Sequence, residues 1–257
     1  MESVDYHHAK ALLEWQVELG ALDAVQDTPV NRYDVPAAVE KPKKAVEPVT
    51  PGIVAPVKVD AVAVAERLAA GAQTLEDLRA VVQGFELCEL KKGARNLVFS
   101  DGTPGARVML VGEAPGRDED REGRPFVGRA GQLLDKMLGA IDMGRAREDS
   151  PVYITNVLPW RPPQNRDPKP EEIAMMRPFL MRHIALAKPE VLVLVGNWAC
   201  QALLGKRGIT RLRGQWTEAA GLPALPMFHP AYLLRSPEFK REAWADLLSL
   251  KAKLRDG

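Results

Sequence analysis

The chain has 257 residues, 46% of them hydrophobic and 27% charged, and its 35 basic and 34 acidic side chains nearly cancel to a net charge of +1. That composition can bury a sizeable core and excludes wholesale disorder, while bulk charge announces no nucleic-acid partner. No apolar run approaches the ~20 residues of a membrane span, the N-terminus lacks the basic and apolar regions of a secretory signal, and two cysteines cannot make a disulfide framework or a four-cysteine metal site, so the expected compartment is the cytoplasm.

Residues 8–20 read as a short helix, within an N-terminal helical segment taken as 1–21. From 22 to 60 six prolines, Pro29 to Pro56, interrupt Val, Ala, Lys and Glu without any apolar period. Proline removes donors and blocks helix and sheet interiors, so this stretch is expected to be an unstructured linker. A catalytic domain is expected over 61–257. It opens with a helical stretch, Val62 to Leu68, and a second helix, Leu75 to Val82, capped by Thr74.

Four short apolar runs follow: Arg107–Gly112, Val152–Asn156, Glu190–Gly196 and Ala224–His229. Near-continuous β-branched runs suit strands buried on both faces, hence a parallel sheet. Helical stripes lie between and after them, at Leu133–Leu138, at Ile173–Ile184 and over about 238–254. The expected fold is α/β, a three-layer α/β/α sandwich around a mainly parallel, four-stranded sheet. Ligands in such sheets bind beyond the carboxyl ends of the strands, which makes Glu113, Asn156, Asn197 and His229 the site candidates.

Charge is divided unevenly along the chain. Residues 1–60 carry 6 basic and 10 acidic groups, and 61–257 carry 29 and 24. Seven basic residues, including Arg211, Arg213 and Arg235, fall within 200–241 against Glu218 and Glu238. This is either a basic face for phosphates or a solvated surface.

Three segments carry chemistry. In the first, Gly112 to Gly131, Gly112 and Gly116 allow close backbone approach, and Glu113 at a strand end can orient water or face a developing cation, or else tie a loop. Phe126, between Pro125 and Gly128, is either core or a ring left open for stacking. In the second, Ile154 to Pro168, the Asn156 carboxamide offers a donor and an acceptor to a nucleobase edge, or fixes the loop. In the third, Phe228 to Arg235, His229 precedes Pro230 and an apolar stretch able to wedge into a base stack; a lone histidine is as readily structural. The remaining histidines have no metal-ligand spacing.

The runs GEAPGRDED (112–120), GRPFVGRAGQLLDKML (123–138), ITNVLPWRPPQNRDPKPEE (154–172) and HPAYLLR (229–235) resemble the family 4 (type-a) uracil-DNA glycosylases, over roughly residues 75–250. The resemblance implies hydrolysis of deoxyuridine in DNA, releasing uracil without a covalent lyase step. It implies Phe126 stacking on the flipped base, Asn156 reading N3–H and O4, and Gly112 and Glu119 lining the pocket, with Glu119 near C5. His229 then stabilises the uracil anion, Glu113 handles water or the sugar cation, Leu233 fills the vacated stack, and Arg235, Arg211 and Arg213 meet phosphates. The expected partner is single- or double-stranded uracil-containing DNA, with the protein a monomer at the nucleoid and no membrane attachment.

One departure is large. The family's four iron–sulfur cysteines align with Phe85, Cys88, Trp160 and Met176, so three are gone and no cluster, and no other cofactor, is expected. Two rivals accompany this reading: a covalent uracil-trapping relative, against which Glu113 and the missing basic insert argue, and a DNA-binding protein that has lost catalysis.

Overall fold

The computed structural model describes Lys10, Glu14 and residues 60–255. The expected N-terminal segment, 1–21, and linker, 22–60, therefore lie outside the described residues except for Lys10, Glu14 and Asp60. Lys10 and Glu14 are both helical and face each other across one turn at 3.6 Å.

Asp60 caps α1 (Ala61–Gly71) by accepting from the Val62 and Ala63 amides. Thr74 caps α2 (Leu75–Gly84) in a reciprocal capping box with Asp77, which satisfies amides that the helix itself leaves unpaired. After the single turn α3 (Leu90–Gly93) come β1 (Asp101–Gly102) and β2 (Val108–Gly112). Then follow α4 (Arg117–Glu122), α5 (Arg129–Gly139), β3 (Val152–Asn156), α6 (Pro170–Ala187) and β4 (Val191–Val195). The remainder is α7 (Asn197–Leu204), α8 (Ile209–Leu212), β5 (Thr217–Ala219), β6 (Leu222–Met227), α9 (Pro230–Arg235) and α10 (Lys240–Arg255).

The sheet order is β1-β3-β2-β4-β6-β5, six strands rather than the expected four. The four long strands are parallel to one another, and the two additions are antiparallel edges of two and three residues. Edges this short carry no period-2 pattern. Alternate strand residues feed two cores. Met109, Val111, Leu192 and Leu194 pack with α1, α2, α6 and α7, while Val108, Leu110, Val191 and Val193 pack with α5 and α10. Burial on both faces explains why the strands read as continuous apolar runs.

Pro226 sits within β6 without breaking it. β5 pairs only as far as Ala224, and beyond that the edge is met by the Gly214 amide bonding to the Pro226 carbonyl. The missing donor of Pro226 therefore removes no ladder bond. Successive parallel strands run from β2 to β3 on one side and to β4 on the other, so the order reverses at β2, beside Gly112. Among the described residues no helix is long and apolar enough to cross a membrane.

Candidate active site

A cleft of about 600 Å³ opens at this switch point. Its walls include Glu113 after β2, Asn156 at the end of β3, Asn197 after β4 and His229 after β6, together with Phe126 and Arg235. The sheet thus gathers residues from across some 120 positions of sequence into one concavity.

Gly112 and Asn156 are partners in parallel register. A Cβ on Gly112 would lie 2.3 Å from Asn156 Oδ1 and 2.6 Å from the Phe126 ring, so glycine is required for the two side chains to close over the strand end. Asn156 is 6% exposed. Its carboxamide makes no side-chain hydrogen bond to the described residues; packing against Gly112 and Phe126 fixes it instead.

Phe126 has φ of 55°, a conformation costly for a bulky residue. Arg145 enforces it. The guanidinium donates to the Pro125 carbonyl at 3.0 Å and the Phe126 carbonyl at 3.0 Å, and is itself held by Asp101 and Asp135. Gly131 makes room for the turn, since a Cβ there would overlap the Phe126 carbonyl. The result stacks the Phe126 ring on His229, centroids 5.5 Å apart and planes 27° from parallel.

His229 is the N-cap of α9, and its Nδ1 accepts from the Ala231 amide at 3.1 Å. Accepting at Nδ1 puts the ring proton on Nε2 in the neutral form. Burial, with the Arg235 charge, pulls the pKa down to about 4, so the ring is a neutral donor near pH 7. Glu113 moves the other way. Burial and the Asp167 carboxylate push it up to about 7, against the opposing pull of Arg207 and Arg235. The neighbouring Arg166 guanidinium donates to the Asp167 backbone carbonyl at 2.9 Å and forks onto Glu172 at 2.9 and 2.5 Å.

Two sequence expectations are corrected. Leu233 is 1% exposed and packs with Phe228 and Ala243, so it cannot enter a base stack from this position; Leu234, 37% exposed, is the accessible neighbour. Arg213 does not face phosphate. Its guanidinium pairs with buried Asp246 and donates to the Glu242 carbonyl. Glu119 lines the cleft, and its oxygens also accept from three amides, those of Gly116, Val127 and Gly128 at 3.1, 2.9 and 2.8 Å. It closes the loop around Phe126. Asn197 likewise fixes a loop, accepting from the Gly208 and Ile209 amides. Arg235 is exposed on the cleft rim, and Arg211 is exposed on α8 beside cleft-lining Thr210.

Sequence reasoning missed Asp167, which acts on Glu113, and Arg145, which holds the Phe126 turn. Each acts through a partner distant in sequence, and neither sits directly after a strand.

Phe85, Cys88, Trp160 and Met176 are each 2% exposed or less and belong to one core. Phe85 packs edge-on to Phe179 at 5.1 Å, and burial pushes the Cys88 thiol up rather than toward thiolate. One thiol among two aromatic rings and a thioether does not fit an iron–sulfur cluster, which takes thiolate ligands.

Residues 99–248 match the model of the Uracil DNA glycosylase superfamily. The chain is similar to the type-4 uracil-DNA glycosylase of Archaeoglobus fulgidus, 39% identical over 183 residues that cover 68% of this chain and 90% of the relative. It is similar to that of Thermotoga maritima, 42% identical over 170 residues, 64% of this chain and 86% of the relative. A type-5 uracil-DNA glycosylase of Pyrobaculum aerophilum is 33% identical over 146 residues, 51% of this chain and 64% of the relative.

Proposed function

Because the chain belongs to the uracil DNA glycosylase superfamily, we propose that it is a monofunctional DNA-repair hydrolase that releases uracil from DNA and leaves an abasic site. The observation that carries the reading is the convergence of Glu113, Asn156 and His229, from the ends of three parallel strands, on one cleft with Phe126 stacked beside them.

The target nucleotide leaves the stack at a cost of a few kcal/mol and enters the cleft. Phe126 covers the face of the uracil ring. The Asn156 carboxamide accepts from N3–H and donates to O4; cytosine presents the reverse pattern and would leave those groups unpaired. As C1′–N1 breaks, its electron pair passes to uracil and charge grows on O2, where His229 Nε2–H donates. A neutral donor suits this step, because it does not protonate the base outright and its orientation is set beforehand. Glu113 accepts a proton from the water whose oxygen bonds to C1′, and its charge offsets the oxocarbenium character of the sugar. Arg235 and Arg211 meet backbone phosphates. The vacated stack is filled from the exposed side of α9, at Leu234.

The catalytic domain of this reading is 61–257. The protein works as a monomer on single- or double-stranded uracil-containing DNA, in the cytoplasm at the nucleoid, without an iron–sulfur cluster. A single-stranded oligonucleotide bearing one uracil tests it. Free uracil with an alkali-labile site is expected. A DNA-linked protein adduct would make the chain a covalent trap, and binding without release would make it a binder.

A further inference from the structure

We propose that Trp198 and Arg207 form a second nucleotide subsite, a stacking platform for a base adjacent to the flipped uracil. The inference rests on the reading that the cleft takes uracil from DNA. Trp198 is half-buried in the wall that separates the cleft from a neighbouring groove of about 710 Å³ and lines both. The Arg207 guanidinium carbon sits over the indole, 4.1 Å from the ring centroid.

The stack is built rather than incidental. Arg207 sits in a loop with left-handed glycines at both ends, Gly205 at φ +68° and Gly208 at φ +106°. Asn197 Oδ1 clamps the far end by accepting from the Gly208 and Ile209 amides at 3.0 and 2.9 Å. The residue before Trp198 in α7 therefore holds the loop that lays Arg207 across the ring. Arg207 is exposed and has no carboxylate within ion-pair distance among the described residues. It nevertheless lies close enough to the cleft to lower the Glu113 pKa.

A nucleotide next to the flipped one needs a π-face for its base and a cation for its phosphate. An indole–guanidinium pair supplies both, and its sequence tolerance suits a flanking base of any identity. The groove beyond continues the path. Arg177 is exposed there, and its Nε–H is bound to the Ala202 carbonyl at 3.0 Å, which leaves the remaining N–H groups for backbone phosphate.

The test is uracil release from single-stranded oligonucleotides in which the base on the 5′ or the 3′ side of uracil is replaced by an abasic analogue. On one side, removing the base should lower wild-type kcat/KM about tenfold, the size of one lost base–aromatic stack. Trp198→Ala should shrink that flank effect to within twofold, Trp198→Phe should retain most of it, and Arg207→Gln should reduce it partially. If Trp198→Ala fails to fold, Arg207→Gln, in an exposed loop, and Trp198→Phe carry the comparison. A wild type indifferent to the flanking base on both sides, or Trp198 and Arg207 variants with an undiminished flank effect, overturns the subsite and leaves uracil excision standing. Release from none of the oligonucleotides overturns the uracil reading and this subsite together.

Discussion

The strand ends around Gly112 and the core around Phe85 and Trp160 are packed to opposite rules. At the strand ends the Asn156 carboxamide has no hydrogen-bond partner among the described residues and Glu113 and His229 are held far from their ordinary pKa values, while Phe126 sits in a strained backbone conformation. In the Phe85 core, carbon and sulfur fill the space and burial pushes the Cys88 thiol away from thiolate. Unpaired polar groups and strain cost stability, and they persist where a ligand completes them. The difference separates a region held in costly polar and backbone states from one held by apolar packing. Variants at the first region should lose rate with the fold intact, and variants at the second should lose stability with rate intact.

The largest effect is expected at His229. His229→Ala should lower the single-turnover rate of uracil release by about 10²–10³, or ~3–4 kcal/mol, while circular dichroism and DNA affinity stay near wild type. A folded variant cleaving within about threefold of wild type would remove His229 from the chemistry.

At the Phe85 core, Phe85→Ala should cost about 3–5 kcal/mol in denaturant unfolding. Its folded fraction should release uracil at the wild-type rate. A loss of rate larger than the loss of folded protein would couple the two regions.

Glu113 sharpens the comparison through pH. It must be anionic to take a proton, so with a pKa of about 7 the value of kcat/KM should fall about tenfold per unit below pH 7 and level off above it. Glu113→Gln should abolish this limb. His229, neutral well above pH 4, should add no second limb near neutrality. A carboxyl whose pKa is raised on folding stabilises the folded state below pH 4.5, and that contribution is lost as pH rises through about 7.

The smallest effects concern salt. Arg211→Ala and Arg235→Ala should each lower the log–log salt slope of DNA binding by about one unit. Arg213→Ala should instead reduce stability, because it leaves Asp246, 1% exposed, without its cation. An unchanged slope in both exposed variants would put DNA on another face.

Much of this was legible in the residues. The four parallel strands fall within a few residues of their apolar runs, the Thr74 cap is where its spacing puts it, and Glu113, Asn156, Phe126 and His229 share one cleft. Both period and cap are local signals, and the sheet rule carries the strand ends to one side. The errors came from residues whose role is decided by a distant partner. Arg213 reads as a phosphate ligand until Asp246, 33 positions away, claims it. Leu233 and Leu234 are indistinguishable in sequence, and only the packing of α9 on α5 and α10 turns one inward.

The sequence by itself determined the parallel sheet, the two buried faces and the chemical kinds of group at the strand ends. Those follow from hydrophobic period and chain connectivity, which act over a few residues. Only the tertiary structure decided the lowered pKa of His229, the raised pKa of Glu113, the strained Phe126 turn under Arg145 and the stack of Arg207 on Trp198. Each of these depends on desolvation or on a hydrogen bond or contact to another part of the chain, and neither exists until the elements have packed.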